Sequence, residues 1–191
     1  MSKPPRIYLA GPEVFLPDAL AVGAEKCRIC AAHGLEGVFP LDASLDLAGL
    51  RKLDQARKIG LANEGLMRSC EAIIANLTPF RGVSMDSGTA FEVGFMRALG
   101  RPVLGYSNTD KPYKYRADGY RAGPRLPDDC DRPGYEVEDF GMTENLMITI
   151  AIAESGFGVA HFVPPAERQM AALEAFESCV EMAAKAMVTG K

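Results

Sequence analysis

Residues 76–106, NLTPFRGVSMDSGTAFEVGFMRALGRPVLGY, decide how this chain is read. They begin at the end of an apolar run, Ala72-Ile73-Ile74-Ala75-Asn76, which reads as a buried strand. A Pro/Gly/Ser-rich loop follows from Thr78 to Ser87. A helical pattern starts near Gly88 and continues through Phe91, Val93, Phe95, Met96 and Leu99. Gly100 supplies its stop signal, with Pro102 just beyond. Val103-Leu104-Gly105-Tyr106 then reads as another strand. Strand, loop, helix and strand make one unit of a parallel sheet. Its loop lies at the carboxyl end of the strand, where open α/β sheets bind ligands.

Two carboxylates stand in this unit. Asp86 is in the loop, and Glu92 is about one turn into the helix, bracketed by Ala90, Phe91, Val93 and Gly94. On the residues alone, Glu92 reads equally as a surface helix residue. Asp86-Ser87 reads equally as a helix N-cap.

The pattern extends outward on both sides. Arg6 to Ala10 reads as the first strand, broken by Gly11-Pro12; the loop Glu13 to Pro17 leads to a helix from about Asp18 to His33. Leu35 to Phe39 is a short second strand, stopped by Pro40. Leu41 to Leu53 is ambiguous. A helix from about Gln55 to Ser69 follows, with Ile59, Leu61, Ala62, Leu66 and Met67 as its apolar set. Ser107 to Gly141 carries four prolines and four tyrosines and reads as a long loop at the active site or an interface. Asn145 to Glu154 is helical, with Thr143 a plausible cap. Val159 to Val163 reads as a fifth strand, and Pro164-Pro165 precede a long amphipathic helix, Ala166 to Val188. Alternating strands and helices imply one α/β domain over residues 1–191, with a mostly parallel five-stranded sheet.

Composition narrows the function classes. The net charge is −4 and no basic block occurs, which argues against a nucleic-acid polymer as partner. No apolar run approaches the roughly 20 residues that span a bilayer. The start, MSKPPRIYLAGP, lacks the apolar core of a signal peptide, so a cytoplasmic protein is expected. The five cysteines, Cys27, Cys30, Cys70, Cys130 and Cys179, read as free thiols. Cys27-Arg28-Ile29-Cys30 fits CxxC, but it sits inside a helix without a second pair, so packing is the better reading. His33 and His161 have no metal spacing.

Three segments now carry a resemblance: Tyr8-Leu9-Ala10-Gly11-Pro12, Asp86-Ser87-Gly88-Thr89-Ala90-Phe91-Glu92-Val93-Gly94, and Glu144-Asn145-Leu146-Met147. In that order they resemble the nucleoside 2-deoxyribosyltransferases, over roughly residues 6 to 154. The resemblance implies a flavodoxin-like three-layer sandwich and exchange of the base on a 2′-deoxyribonucleoside. It implies neither cofactor nor metal.

It also implies roles. Glu92 would attack the anomeric carbon, forming a covalent deoxyribosyl-enzyme with net retention, the logic of retaining glycosidases. Tyr8, otherwise a half-buried strand tyrosine, would donate to Glu92. Hydrogen bonding would lower the Glu92 pKa and apolar surroundings would raise it, with the balance open at this point. Asp86 would accept from a sugar hydroxyl, the 5′-OH. Gly88 would let the backbone approach the sugar. Asn145 would reach a neighbouring subunit's site, with Met147 lining the shared wall, so a homo-oligomer is expected. The chain departs from the family where many members hold an aspartate that protonates the leaving base. Ala62-Asn63-Glu64-Gly65 stands there instead, and either Glu64 acts as the acid or Asn63 hydrogen-bonds the base. Two other readings remain. One is a 2′-deoxynucleoside 5′-monophosphate N-glycosidase, disfavoured by Asp86 but allowed by Arg81, Ser84 and Ser87. The other is a nucleotide-binding sensor without chemistry.

Overall fold

The computed structural model of the protein describes residues 3–40, 45–124, 131 and 134–188. Five strands, β1 (Arg6–Ala10), β2 (Glu36–Val38), β3 (Ala72–Asn76), β4 (Val103–Ser107) and β5 (Ala160–His161), form one sheet in the order β2-β1-β3-β4-β5. Every pairing is parallel, so the mostly parallel sheet of the sequence is parallel throughout. The β1–β3 register sets Tyr8 beside Ile73 and Ala10 beside Ala75. All five residues of β3 and of β4 are buried, as a sheet covered on both faces requires.

Among the described residues, six α-helices accompany the strands: α1 (Ala19–Ala32), α2 (Lys52–Arg68), α3 (Ser87–Ala98), α4 (Tyr113–Ala122), α5 (Leu146–Ala153) and α6 (Glu174–Met187). The two-residue period of the strands divides the core. Ile7, Leu9, Ile74, Leu104 and Tyr106 face α1 and α6, meeting Ile29, Cys30, Phe176, Cys179 and Val180. Tyr8, Ala10, Ile73, Ala75 and Val103 face the other layer, meeting Met67 of α2, Val93 and Met96 of α3, and Ile152 of α5. Each fully buried aliphatic side chain contributes about 1.5–3 kcal/mol. The central strands therefore hold their carboxyl ends firmly, and those ends carry the site.

Several boundaries differ from the sequence reading, each for a physical reason. The segment from Ser107 to Gly141 is not all loop, because Tyr113–Ala122 form α4. Arg116 anchors that helix, donating to the carbonyls of Lys111, Val83 and Thr143 and to Glu144. Asn145, not Thr143, caps α5: its side chain accepts from the Met147 N–H at 3.0 Å, whereas the Thr143 hydroxyl meets His161 Nε2 at 3.1 Å. The last helix begins at Glu174 rather than Ala166, after a 3-10 turn at Ala166–Arg168. Asn108 captures the carbonyls of Gln169 and Ala172 with its side-chain amide, at 2.8 and 3.0 Å, so those oxygens face a loop and not a helical turn. Of the apolar set assigned to α2 only Met67 is buried, and Ile59 and Leu61 are exposed. Cys130 and residues 41–44 lie outside the described residues.

Candidate active site

The strand period that puts Ile7 and Leu9 under α1 and α6 turns Tyr8 toward α3. On α3 the buried positions are Thr89, Val93 and Met96, one stripe at helical spacing. Glu92 lies three residues after Thr89 and four before Met96, at the border of that stripe. Its carboxyl is thereby tucked between helix and sheet, not out in solvent. The Tyr8 hydroxyl donates to Glu92 Oε1 at 2.7 Å.

This setting answers the question of charge. Burial is the largest influence on Glu92 and raises its pKa from 4.5 to about 7; the Tyr8 hydrogen bond opposes the rise, and the nearby Asp86 charge adds to it. Desolvation outweighs the hydrogen bond. Burial and the Glu92 charge together also push the Tyr8 hydroxyl far above its ordinary range, so it remains a donor at every working pH.

Asp86 caps α3, its Oδ2 accepting from the Thr89 N–H at 3.0 Å and the Thr89 hydroxyl at 3.3 Å. The helix-cap reading of Asp86 holds, and the same carboxylate also lines the cleft. The cleft, about 150 Å³, is bordered by Gly11, Val14 and Phe15 after β1, Pro40 after β2, Asn63 of α2, and Asp86, Gly88, Thr89 and Glu92. It opens at the carboxyl ends of β1 and β3, the point where strand order reverses and such sheets take ligands. A larger hollow, about 600 Å³, lies at the amino end of β1 beside Lys3, Pro5, Glu36 and Glu71, but its Arg6 is already bonded to both glutamates.

The structure brings Tyr8, Glu92, Asp86, Gly88 and Asn63 together. It does not bring Glu64 to the cleft wall, and the Glu64 carboxylate stands 4.0 Å from Arg68 on the next turn of α2. Asn145 and Met147 are also absent from that wall. The Asn145 amide donates to Glu138 at 2.6 Å, and Met147 is 72% exposed.

Sequence reasoning missed the supports beneath the cleft. Glu13, Lys26 and Tyr106 are wholly buried; Glu13 Oε1 accepts from Lys26 Nζ at 2.9 Å and from the Tyr106 hydroxyl at 2.6 Å. This pins the turn Pro12–Phe15 to α1 and β4. A Cβ on Gly11 would run into the Glu13 carboxylate and the Asn76 side chain, so only glycine fits between β1 and this cluster. A signal was available: Lys26 falls on the buried face of α1 with Val22 and Ile29. A second support is Glu144, buried against Arg116 at 2.9 Å, which also accepts from the Ser84 hydroxyl and the Met85 N–H. It locks the loop that delivers Asp86. Among the described residues, no group of three or more His, Cys, Asp or Glu side chains could hold a metal ion.

Comparison with known proteins adds to this geometry. A family model described as nucleoside 2-deoxyribosyltransferase matches residues 7–147. An uncharacterized protein of Schizosaccharomyces pombe is 32% identical over 174 residues, covering 83% of this chain and 82% of that protein. A solved structure described as a 2-desoxiribosyltransferase from Leishmania mexicana is 30% identical with a TM-score of 0.60, covering 93% of this chain and 98% of the other. A 2-deoxyribosyltransferase from Bacillus psychrosaccharolyticus shares the fold at 19% identity and a TM-score of 0.51, over 83% and 86% of the two chains.

Proposed function

Since the chain belongs to the nucleoside 2-deoxyribosyltransferase family, we propose that it exchanges the base of a 2′-deoxyribonucleoside for another purine or pyrimidine through Glu92. The observation that carries this reading is the 2.7 Å bond from the Tyr8 hydroxyl to the Glu92 carboxylate, at the floor of a cleft edged by Asp86 and Gly88. A glutamate made costly to ionise, and held in one rotamer by a donor, is poised for covalent work on an electrophilic carbon.

The steps follow from the side chains. Ionised Glu92 attacks the anomeric carbon as the N-glycosidic bond breaks, and that bond's electron pair leaves with the base, which takes up a proton. The glutamyl ester forms with inversion. A second base then attacks the same carbon, the Glu92 carboxylate leaves, and configuration is retained overall. The carboxylate also faces the positive charge that develops on the sugar ring. Asp86 keeps lone pairs beyond its two bonds to Thr89 and accepts from the 5′-OH. Gly88 leaves open space beside it apart from the Asp86 carboxylate. Asn63 hydrogen-bonds the base. A proton delivered by Glu64 requires that side chain to leave Arg68.

The working unit in this reading is a homo-oligomer. Phe91, Met147 and Ile150 are exposed apolar side chains on α3 and α5, a face that a second copy can cover. Asn145 then reaches across to the neighbour's 5′-OH, using the amide hydrogen and lone pair that Glu138 and the Met147 N–H leave free.

The test is a base-exchange assay with several deoxynucleoside donors and free acceptor bases, alongside Glu92→Ala. Exchange is expected with slow hydrolysis beside it, since water can attack the ester, and none in the variant. Wild-type turnover by Glu92→Ala, or cleavage of deoxynucleoside monophosphates that ignores added base, would overturn the reading.

A further inference from the structure

Phe15 is the aromatic wall of the cleft, and it is 54% exposed. Its ring lies parallel to Phe80, with centroids 5.6 Å apart and planes 8° apart. The guanidinium of Arg81 covers both rings, its Cζ lying 4.9 Å from the Phe15 centroid and 4.5 Å from the Phe80 centroid. Arg81 is also the one non-glycine residue with positive φ among the described residues, at 56°. Such a conformation is unfavourable for a long side chain and persists only where the surroundings impose it. Here a turn closed by the Phe80 N–H on the Ser84 carbonyl imposes it. Among the described residues, no carboxylate or carbonyl oxygen engages the guanidinium.

A guanidinium stacked on aromatic rings is fixed in plane while its N–H donors stay free at the edge. It cannot accept, so it selects partners that present acceptors. Arg81 stands behind the cleft wall and not in it, but a flat ligand stacked on the exposed part of Phe15 would bring one edge toward that fork. Of the natural bases, a 6-oxopurine offers two adjacent acceptors, O6 and N7, matched to a two-pronged arginine. Adenine sets an amino donor against it at the first position.

Resting on the base-exchange reading above, we propose that Arg81 is a specificity-determining residue that selects 6-oxopurines, hypoxanthine and guanine, over adenine. The competing use of a free arginine is to bind a 5′-phosphate. The geometry disfavours it: the helix N-terminus that would share the anion is already capped by the Asp86 carboxylate, and a phosphate there would meet that negative charge.

The experiment compares wild type with Arg81→Met, and with Arg81→Gly, which removes the guanidinium and suits the positive φ. Two readouts are used: kcat/KM for deoxyinosine, deoxyguanosine and deoxyadenosine as donors, each with and without a 5′-phosphate, and calorimetric binding of hypoxanthine and adenine. A bidentate pair gives roughly tenfold to a hundredfold discrimination. Wild type should prefer 6-oxopurines by that factor in both readouts. Both variants should lose the preference while deoxyadenosine turnover stays within about threefold of wild type. An unchanged preference in the variants, or an equal loss for all three donors, overturns the assignment. So does an effect confined to deoxynucleoside monophosphates, which would assign Arg81 to phosphate. Preference in binding without any base exchange would sink the transferase reading and leave the arginine's role standing. Exchange without preference would do the reverse.

Discussion

Glu92→Gln should make the protein more stable, and by an amount that grows with pH. The folded carboxyl has its pKa raised from 4.5 to about 7, chiefly by burial. In the unfolded chain it is hydrated and returns to the ordinary value. Between the two values the folded state binds more protons than the unfolded one, so stability falls as pH rises through that window. The stabilising contribution of the neutral carboxyl is complete below 4.5 and lost above about 7. A shift of this size corresponds to at most about 3 kcal/mol. Glutamine has nothing to ionise, and its amide oxygen can still accept from Tyr8. The variant's advantage over wild type should therefore increase by about 2 kcal/mol between pH about 5 and about 8.5. Urea unfolding at several pH values, at fixed ionic strength and protomer concentration, measures it directly. An advantage that is flat with pH, or that shrinks as pH rises, would show that Glu92 is not held in the protonated form by its surroundings.

Four other outcomes follow from the same geometry. For wild type, kcat/KM should rise about tenfold per pH unit below an inflection near 7 and level off above it, because only ionised Glu92 attacks. Tyr8→Phe removes the one influence that lowers that pKa, so its pH–rate inflection should move upward; an inflection that stays or moves down would contradict the role given to Tyr8. Lys26→Met should cost about 3–5 kcal/mol in urea unfolding by leaving the buried Glu13 carboxylate without a counter-charge. Pairing it with Glu13→Gln should recover much of the loss, and equal stability of single and double variants would be inconsistent with a charged pair. Asn145→Ala should weaken turnover and Glu92→Ala should abolish it, and mixing the two should restore part of the activity. Failure to recover after subunit exchange would argue that sites are not shared.

The centre of the sheet was legible because β1, β3 and β4 are buried and read as largely apolar runs. Ala72-Ile73-Ile74-Ala75 is the clearest, bounded by turn residues. Helix α3 was legible through its stripe and its stop at Gly100, whose φ is +70°. What stayed hidden depends on distant partners. Nothing local announces that Asn108 will capture the carbonyls of Gln169 and Ala172 and delay α6 to Glu174. Nor does the composition of 107–141 reveal that Arg116 will find Glu144 and hold α4 in place. In the site, the family resemblance brought out Tyr8, Asp86 and Glu92, which period and spacing alone left as a strand tyrosine, a helix cap and a surface glutamate, and neither gave the sign of the Glu92 shift. That sign required knowing that the carboxyl is folded inward. Phe15 and the Glu13–Lys26–Tyr106 cluster escaped because each gains its meaning from a contact across the sheet or across the cleft.

The raised pKa also bears on how the proposed reaction is driven. Burial and the Asp86 charge both disfavour negative charge on Glu92 in the resting protein. As the glycosidic bond breaks, positive charge grows on the sugar immediately above that carboxylate. An anion that was poorly solvated then gains a partner in a site of low polarity, where the attraction is far stronger than in water. Asp86 changes role at the same step, because its charge opposed ionisation of Glu92 but favours a cation. Only interactions stronger in the transition state than in the ground state speed the reaction. A carboxylate surrounded by hydrogen-bond donors would be stable and unreactive; one held, among the described residues, by the single Tyr8 hydroxyl at 2.7 Å is oriented without being satisfied. On this argument, adding donors around Glu92 should lower its pKa and slow attack together.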